Sequence, residues 1–114
     1  MMDNKRTVFI VDDDEAIRKC LKDYFELEGF LVIEAKNGFE VERYLKLKKP
    51  DYLLLDLFMP EKDGIEMILE LKDEGINIIA MSGNPAFLDI AVQLGANSSI
   101  LKPFSFSTLK KLIS

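Results

Sequence analysis

The chain has 114 residues, 48% hydrophobic and 31% charged, a usual length and composition for one globular domain with its own core. Fifteen basic and twenty acidic residues give a net charge of −5, which disfavours nonspecific binding to nucleic acid or anionic lipid. The single cysteine excludes an internal disulfide, and the lack of histidine excludes histidine-based catalytic triads and argues against a structural zinc site.

From Thr7 onward, the sequence alternates between two kinds of pattern. Short apolar and β-branched runs predict strands, and apolar residues at helical spacing predict helices. The predicted strands are Thr7–Val11, Leu31–Ala35, Tyr52–Asp56, Ile76–Met81 and Ser98–Leu101. The apolar positions of the predicted helices are Ile17, Leu21 and Tyr24 with Phe25 as a further candidate, then Val41, Tyr44 and Leu45, then Ile65, Ile68 and Leu71, then Phe87, Ile90, Ala91 and Leu94, and finally Leu109, Leu112 and Ile113.

Turn-forming and capping residues set the ends of these helices. Asp14 is expected to cap the first helix, and Cys20 within it is expected to be buried or half-buried. The other boundary residues are Gly29 after helix one, Asn37-Gly38 before helix two, Gly64 and a stop near Gly75 for helix three, Pro85 and Gly95 for helix four, and Ser105 or Ser107 as the cap of helix five.

Five strands alternating with five helices predict an α/β fold in which helices cover both faces of a parallel sheet. The expected architecture is a single-domain (βα)5 flavodoxin-like three-layer sandwich with strand order 2-1-3-4-5. Residues 1–6 are expected to form an N-terminal arm and residues 7–114 the domain itself.

The most informative stretch is the apolar run that begins at Tyr52 and leads directly into Asp56, with Pro60 and Asp63-Gly64 in the loop beyond it. An uninterrupted apolar strand of this kind is typical of the buried centre of a parallel sheet. Asp56 is therefore expected at the carboxyl edge of the sheet, where open α/β sheets bind their ligands.

Other polar residues follow the neighbouring strands at the same edge. Asp12 and Asp13 follow strand one, Ser82 follows strand four, and Lys102 follows strand five. Because adjacent strands are about 4.8 Å apart, we expect the three carboxylates to converge, with Ser82 and Lys102 beside Asp56. Their mutual repulsion should raise the pKa of at least one carboxyl group.

A divalent cation would relieve that repulsion, and carboxylate and carbonyl ligands favour Mg²⁺, with Mn²⁺ as a possible substitute. A cation alone does not account for a lysine and a hydroxyl at the same edge, whereas phosphoryl transfer uses all of these groups. Asp56 is the candidate nucleophile, Lys102 the point charge, and Ser82 a hydrogen-bond donor to a phosphoryl oxygen.

The chain resembles the receiver domain of two-component response regulators from Thr7 to Ile113. The marks of the resemblance are Val11-Asp12-Asp13, Leu55-Asp56 followed by Met59-Pro60 and Asp63-Gly64, Met81-Ser82-Gly83, Gly95-Ala96 and Lys102-Pro103-Phe104. The resemblance implies that Asp56 is the phosphoacceptor, that Lys102 pairs with the phosphoryl group, and that Ser82 is the switch hydroxyl. It also implies a cis bond between Lys102 and Pro103.

The resemblance implies a Mg²⁺ site as well. Asp13 would be a direct ligand, Asp12 would act largely through water, and the backbone carbonyl of Phe58 would complete the set with Asp56. A domain of this kind is not an enzyme, except that it catalyses its own aspartyl phosphorylation and dephosphorylation.

One position departs from the family pattern. Receivers often carry Tyr or Phe three residues before the lysine, and here that position is Ser99. We therefore expect phosphorylation chemistry with an unusual output. The alternative is a receiver-like protein-interaction module that works without phosphorylation. A cofactor-binding flavodoxin is disfavoured by the acidic loop after strand one, and a phosphatase is disfavoured by Phe58, where a general acid would be needed.

Because the chain lacks histidine, its phosphohistidine donor must act in trans, as a sensor histidine kinase or a phosphotransfer protein. No output domain follows Ser114, so we expect either a protein that works alone or one domain of a longer chain, with the downstream partner open. Residues 1–6 have no signal-peptide core and no apolar run is long enough to span a membrane, so we expect a cytoplasmic protein without membrane contact or direct nucleic-acid binding.

Overall fold

The computed structural model describes residues 5–59 and 62–113, so residues 1–4 of the predicted arm, Pro60 in the predicted loop, and Ser114 lie outside the described residues. Within them the chain forms strands β1 Thr7–Val11, β2 Leu31–Ala35, β3 Tyr52–Asp56, β4 Asn77–Ser82 and β5 Ser98–Leu101. The helices are α1 Glu15–Leu27, α2 Gly38–Leu45, α3 Gly64–Leu71, α4 Pro85–Leu94 and α5 Phe106–Ile113.

The described strands form one parallel sheet in the order β2-β1-β3-β4-β5, which confirms the predicted fold class and strand order. Val11 of β1 pairs with Leu55 of β3, and Ser82 of β4 pairs with Leu101 of β5. The carboxyl ends of these four strands therefore lie side by side along one edge of the sheet.

The side chains of the strands alternate between two hydrophobic cores, one on each face of the sheet, as the twofold period of a strand requires. The core under α2, α3 and α4 includes Phe9, Val11, Leu53, Leu55, Ile78 and Ala80. The core under α1 and α5 includes Val8, Ile10, Tyr52, Leu54, Ile79, Met81 and Ile100. Each fully buried aliphatic side chain contributes about 1.5–3 kcal/mol, so the strand ends that carry the polar residues are firmly held.

Most predicted boundaries are confirmed. Asp14 accepts hydrogen bonds from the Ala16 and Ile17 amides, Pro85 is in the first turn of α4, and Ser105 accepts a hydrogen bond from the Thr108 amide. Two boundaries were wrong by a short distance, because β4 lies one residue later than predicted and α3 ends at Leu71, followed by a turn to Gly75.

The prediction that Cys20 is buried or half-buried was wrong, because its side chain is exposed. The buried residues of α1 are Leu21 and Phe25, and Cys20 is rotated about 100° from Leu21 around the helix axis. Among residues 5–59 and 62–113, no helix has the length and apolar character needed to cross a membrane.

Gly64 allows α3 to begin directly against the end of β3. A Cβ at this position would lie 2.8 Å from the backbone oxygen of Asp56 and 2.8 Å from the Cα of Leu57. Any other residue would push the start of α3 away from the strand, so the Asp63-Gly64 pair fixes the path of the loop that follows Asp56.

Candidate functional site

Asp12 is the most fully bonded acidic residue at the carboxyl edge of the sheet, and only 1% of it is exposed. Its Oδ1 accepts a hydrogen bond from the Asp14 amide at 2.9 Å, and its Oδ2 contacts Lys102 Nζ at 2.7 Å. Its backbone amide donates to the Ala35 carbonyl, and its backbone carbonyl accepts from Arg18 Nη1 at 2.6 Å. These contacts hold both the backbone and the carboxylate of Asp12 in place.

Asp56 is almost as buried, at 6% exposed, but it has fewer and longer polar contacts. Its Oδ1 accepts a hydrogen bond from the Phe58 amide at 3.2 Å and lies 3.6 Å from Lys102 Nζ. Burial raises the pKa of Asp56 from 3.8 to about 6, and the neighbouring Asp12 acts in the same direction, whereas Lys102 and the Phe58 amide lower it. The expected rise in a carboxyl pKa is confirmed, with burial as its larger cause.

The predicted convergence of the three carboxylates is also confirmed. Asp12, Asp13 and Asp56 each offer a carboxylate oxygen, and these oxygens all lie within 4.8 Å of one another. Asp12 and Asp56 are buried, whereas Asp13 is exposed to solvent. A cluster of hard oxygen donors that is open on one side suits a divalent cation that keeps part of its water shell.

Lys102 lies directly after β5, and its ammonium group bridges Asp12 and Asp56. Its backbone amide donates to the Ser82 carbonyl at 2.8 Å, which ties it to the end of β4. The peptide bond between Lys102 and Pro103 is cis, as the family resemblance implies. Lys102 therefore supplies the positive charge next to Asp56 that the sequence predicts.

Ser82 lies at the predicted edge, at the end of β4, and is 1% exposed. Its Oγ accepts a hydrogen bond from the Asn84 amide at 3.0 Å, so the hydroxyl also orders the turn before α4. At the next residue, Gly83, a Cβ would meet only the Lys102 carbonyl oxygen, at 3.9 Å. The space beside Ser82 is thus open on the side of Gly83.

Phe58 stands where a phosphatase would need a general acid, and Ser99 stands where receivers often carry an aromatic residue. The Phe58 side chain is 57% exposed and makes an edge-to-face contact with Phe87 of α4, with ring centroids 4.8 Å apart. Ser99 pairs with Ala80 in the middle of β5 and is partly exposed. An aromatic contact therefore links the loop after β3 to α4, while β5 presents a small polar side chain.

The sequence analysis missed two cationic residues that brace the loops around the site. Arg18 of α1 contacts both the Asp12 carbonyl and Glu34 of β2. Arg18 comes four residues after Asp14, and this spacing could have indicated that its side chain lies near the end of β1. Lys62 lies in the β3–α3 loop and pairs with acidic residues on two helices. No local pattern in the sequence identifies Lys62, because its partners come together only in the folded chain.

Comparisons with known proteins agree with this geometry. A family model described as the response regulator receiver domain matches residues 8–114. The chain is 36% identical over 113 residues to the chemotaxis protein CheY of Halobacterium salinarum, covering 96% of this chain and 94% of that protein. It is 33% identical over 117 residues to sporulation initiation phosphotransferase F of Bacillus subtilis, covering 99% and 93%.

A third relative is longer. The chain is 34% identical to the probable transcriptional regulator ycf27 of Guillardia theta, and the match covers 98% of this chain but only 45% of that regulator. Among solved structures, a two-component response regulator from Clostridium difficile superposes on this chain with a TM-score of 0.89. The superposition covers 96% of this chain and 93% of that one at 20% sequence identity, and it supports the fold. The family match and the relatives of over 30% identity lead to one conclusion, that this chain belongs to the receiver domains of two-component response regulators.

Proposed function

We propose that this receiver accepts a phosphoryl group on Asp56 from a phosphohistidine donor, with Mg²⁺ bound beside it, and signals through a conformational change. The observation that carries the proposal is the arrangement around Asp56. This buried carboxylate has two other carboxylate oxygens within 4.8 Å and a lysine ammonium at 3.6 Å. Phosphoryl transfer needs a nucleophile, negative ligands for a cation, and a fixed positive charge at one place.

In the proposed reaction a carboxylate oxygen of Asp56 forms a bond to phosphorus as the bond between phosphorus and the donor's imidazole nitrogen breaks. The electron pair of the broken bond stays on that nitrogen, and Asp56 becomes an acyl phosphate. Lys102 can exchange part of its contact with Asp12 for the incoming phosphoryl oxygens, since its ammonium already lies between the two carboxylates. The Ser82 hydroxyl is proposed to donate to another phosphoryl oxygen.

The donor set fits Mg²⁺. The proposed ligands are the carboxylates of Asp12, Asp13 and Asp56 and the backbone carbonyl of Phe58. The backbone amide of Phe58 already donates a hydrogen bond to Asp56. The raised pKa of Asp56 also supports a cation at this site. A nearby cation would lower that pKa and so favour the ionised carboxylate that acts as nucleophile. When bound, the ion would neutralise charge on the phosphoryl oxygens during transfer. Mn²⁺ is a possible substitute because it accepts the same oxygen ligands.

The donor is proposed to be a sensor histidine kinase or a phosphotransfer protein acting in trans, because this sequence contains no histidine. The relative from Bacillus subtilis is named sporulation initiation phosphotransferase F, which supports phosphoryl transfer as the shared chemistry. We propose that the domain is a signalling module that catalyses only its own phosphorylation and dephosphorylation. We also propose that it works in the cytoplasm and that residues 7–114 form the unit that carries this activity.

Intact-mass measurement tests the central step. The protein is incubated with a small-molecule phosphodonor and Mg²⁺ beside two variants, Asp56→Asn and Asp13→Asn. The parent should gain the mass of one phosphoryl group, Asp56→Asn should gain none, and Asp13→Asn should gain it more slowly because the cation is held less well. Chelation of Mg²⁺ should stop the reaction in the parent.

Uptake by Asp56→Asn at the parent's rate would contradict Asp56 as the acceptor. A parent that takes up no phosphoryl group from the small donor is then tested with a phosphorylated histidine phosphotransfer domain. Failure with both donors, while the protein is folded and binds Mg²⁺, would contradict the proposed function.

The second candidate is a receiver-like interaction module that works without phosphorylation, and Ser99 is the observation that favours it. A serine in the middle of β5 has no ring that could move inward when Ser82 moves. Under the main proposal, a phosphoryl mimic at Asp56 should still shift the backbone between Ser82 and Pro85. No shift there on binding of the mimic would favour the interaction module.

A further inference from the structure

The β3–α3 loop contains a lysine that is nearly as buried as Asp12 and Asp56. Lys62 is 9% exposed, although lysine is among the residues least often buried. Its ammonium lies 3.1 Å from Glu42 of α2 and 2.7 Å from Glu70 of α3. A single side chain thus joins the loop to two different helices.

The aliphatic part of Lys62 is also packed. A Cβ at Gly38, the first residue of α2, would lie 3.0 Å from the Cβ, Cγ and Cδ of Lys62, so the lysine stem covers the start of that helix. The stem packs where α2 begins, and the ammonium group lies between Glu42 of α2 and Glu70 of α3. Both ends of the Lys62 side chain are therefore fixed.

This anchoring acts on the segment that carries the proposed metal ligand. Phe58 lies four residues before Lys62, its amide is bonded to Asp56, and Met59 after it is buried in the core. Gly64 after Lys62 closes the loop with a hydrogen bond from its amide to the Leu57 carbonyl at 3.3 Å. The Gly64 hydrogen bond thus ties the end of the loop that carries Lys62 to Leu57, the residue directly before Phe58.

We propose that Lys62 is a positioning residue that, through Glu42 and Glu70, holds the β3–α3 loop in the geometry needed for the Phe58 carbonyl to bind a divalent cation beside Asp56. This inference rests on the proposed function. Stability alone does not account for these two ion pairs, because pairs with solvent-exposed partners typically contribute at most about 1 kcal/mol. The two glutamates can also remain solvated without it, since their side chains are 51% and 44% exposed.

For Lys62→Met, the electric field and the positioning of the loop make opposite predictions, which allows a sharp test. Lys62→Met keeps the stem and removes a positive charge, so the electric field alone would strengthen binding of Mg²⁺. Glu70→Gln breaks the same ion pair and removes a negative charge, so the field alone would weaken binding. If Lys62 acts by positioning the loop, both variants should weaken binding, because both release the loop.

The experiment is calorimetric titration of the 114-residue chain with MgCl₂. The variants are Lys62→Met, Glu70→Gln and, as a matched control, Lys110→Met, which removes an ion-paired lysine on α5 far along the chain from the loop. We expect both loop variants to weaken Mg²⁺ binding by about 3- to 10-fold, less than the 10- to 100-fold typical of residues that contact metal ligands directly. The control should bind like the parent.

A second readout does not depend on the cation. In the metal-free proteins, the backbone amide signal of Phe58 in a ¹H–¹⁵N spectrum should shift or broaden in both loop variants and stay unchanged in Lys110→Met. Thermal unfolding establishes that each variant is folded at the temperature of the titration.

Three outcomes overturn the inference. They are unchanged Mg²⁺ affinity in either loop variant, tighter binding in Lys62→Met, and an unchanged Phe58 amide in both. If the parent itself does not bind Mg²⁺, it is the metal site of the proposed function that fails. That result is distinguishable, because it appears before any variant is compared.

Discussion

Asp12 directly follows β1 and Asp56 ends the adjacent strand β3. Both are buried to nearly the same extent, yet their surroundings differ sharply. Asp12 receives a backbone amide on one oxygen and the Lys102 ammonium at 2.7 Å on the other. Asp56 has the Phe58 amide at 3.2 Å and the same ammonium at 3.6 Å, both on one oxygen. Lys102 thus lies nearer to Asp12, a proposed metal ligand, than to Asp56, the proposed phosphoacceptor.

The difference shows how two similar side chains can take different roles. Short hydrogen bonds and a close cation stabilise the ionised form of a buried carboxylate. A buried carboxylate whose polar contacts are longer remains costly to ionise and can still bind a further cation or hydrogen-bond donor. The raised pKa of Asp56 reflects that cost. In the proposed function, a phosphoryl group and a cation would together supply the partners that Asp56 lacks.

Removing the shared lysine should give the largest effect on the metal-free protein. Lys102→Met leaves the Asp12 carboxylate, which is 1% exposed, without its closest cation. Breaking a buried ion pair from one side typically costs 3–5 kcal/mol, and Lys102 is partly exposed, so we expect a loss of about 2–4 kcal/mol in unfolding free energy. Urea unfolding at neutral pH in the presence of a chelator measures it.

The exposed Lys46→Met after α2 serves as the control for this change and should stay within about 0.5 kcal/mol of the parent. A loss in Lys102→Met no larger than in this control would mean that Asp12 does not depend on the lysine.

Neutralising the other carboxylate should have the opposite sign. The folded pKa of Asp56 is about 6 against an ordinary value of 3.8, so the folded state holds a proton that the unfolded state releases between these values. The unfolding free energy of the parent should therefore fall as pH rises through this window, by at most about 3 kcal/mol. Asp56→Asn lacks this penalty and should be about 2 kcal/mol more stable than the parent at pH 7.

Chemical unfolding of both proteins with a chelator at several pH values from about 4 to 7 measures this difference. The exposed Asp89→Asn on α4 is the matched control and should follow the parent at every pH. Parallel curves for the parent and Asp56→Asn would show that Asp56 is not the group whose burial costs stability.

The sequence was sufficient for most of the fold and for the acidic cluster, because both depend on strong local signals. The boundaries of β1, β2 and β3 follow from apolar runs between turn residues, and the alternating elements leave few arrangements of the sheet. Once the strand order is known, residues after adjacent strands must be neighbours. The positions of Asp12, Asp56 and Lys102 at one edge therefore needed no knowledge of side-chain contacts.

What the sequence did not predict depends on contacts between distant elements. The unequal distances from Lys102 to the two carboxylates are set by how its side chain leaves β5, which no spacing encodes. Lys62 looks like a solvated loop lysine until α2 and α3 bring Glu42 and Glu70 to it. Cys20 matched an apolar pattern but lies just outside the buried face of α1, which contains Leu21 and Phe25.

The smallest predicted effect separates the metal from the fold, and it concerns Asp13, the exposed member of the acidic cluster. Because it is exposed, Asp13→Asn should leave the metal-free unfolding free energy within about 0.5 kcal/mol of the parent. At ten times the parent's dissociation constant, Mg²⁺ should stabilise the parent by about 1.4 kcal/mol, and a tenfold weaker site would keep only about 0.4 kcal/mol of this. Thermal unfolding with and without MgCl₂ measures both values, with the exposed Asp23→Asn on α1 as the control. Equal stabilisation of Asp13→Asn and the parent would remove Asp13 from the ligand set, leaving the two buried carboxylates to hold the cation.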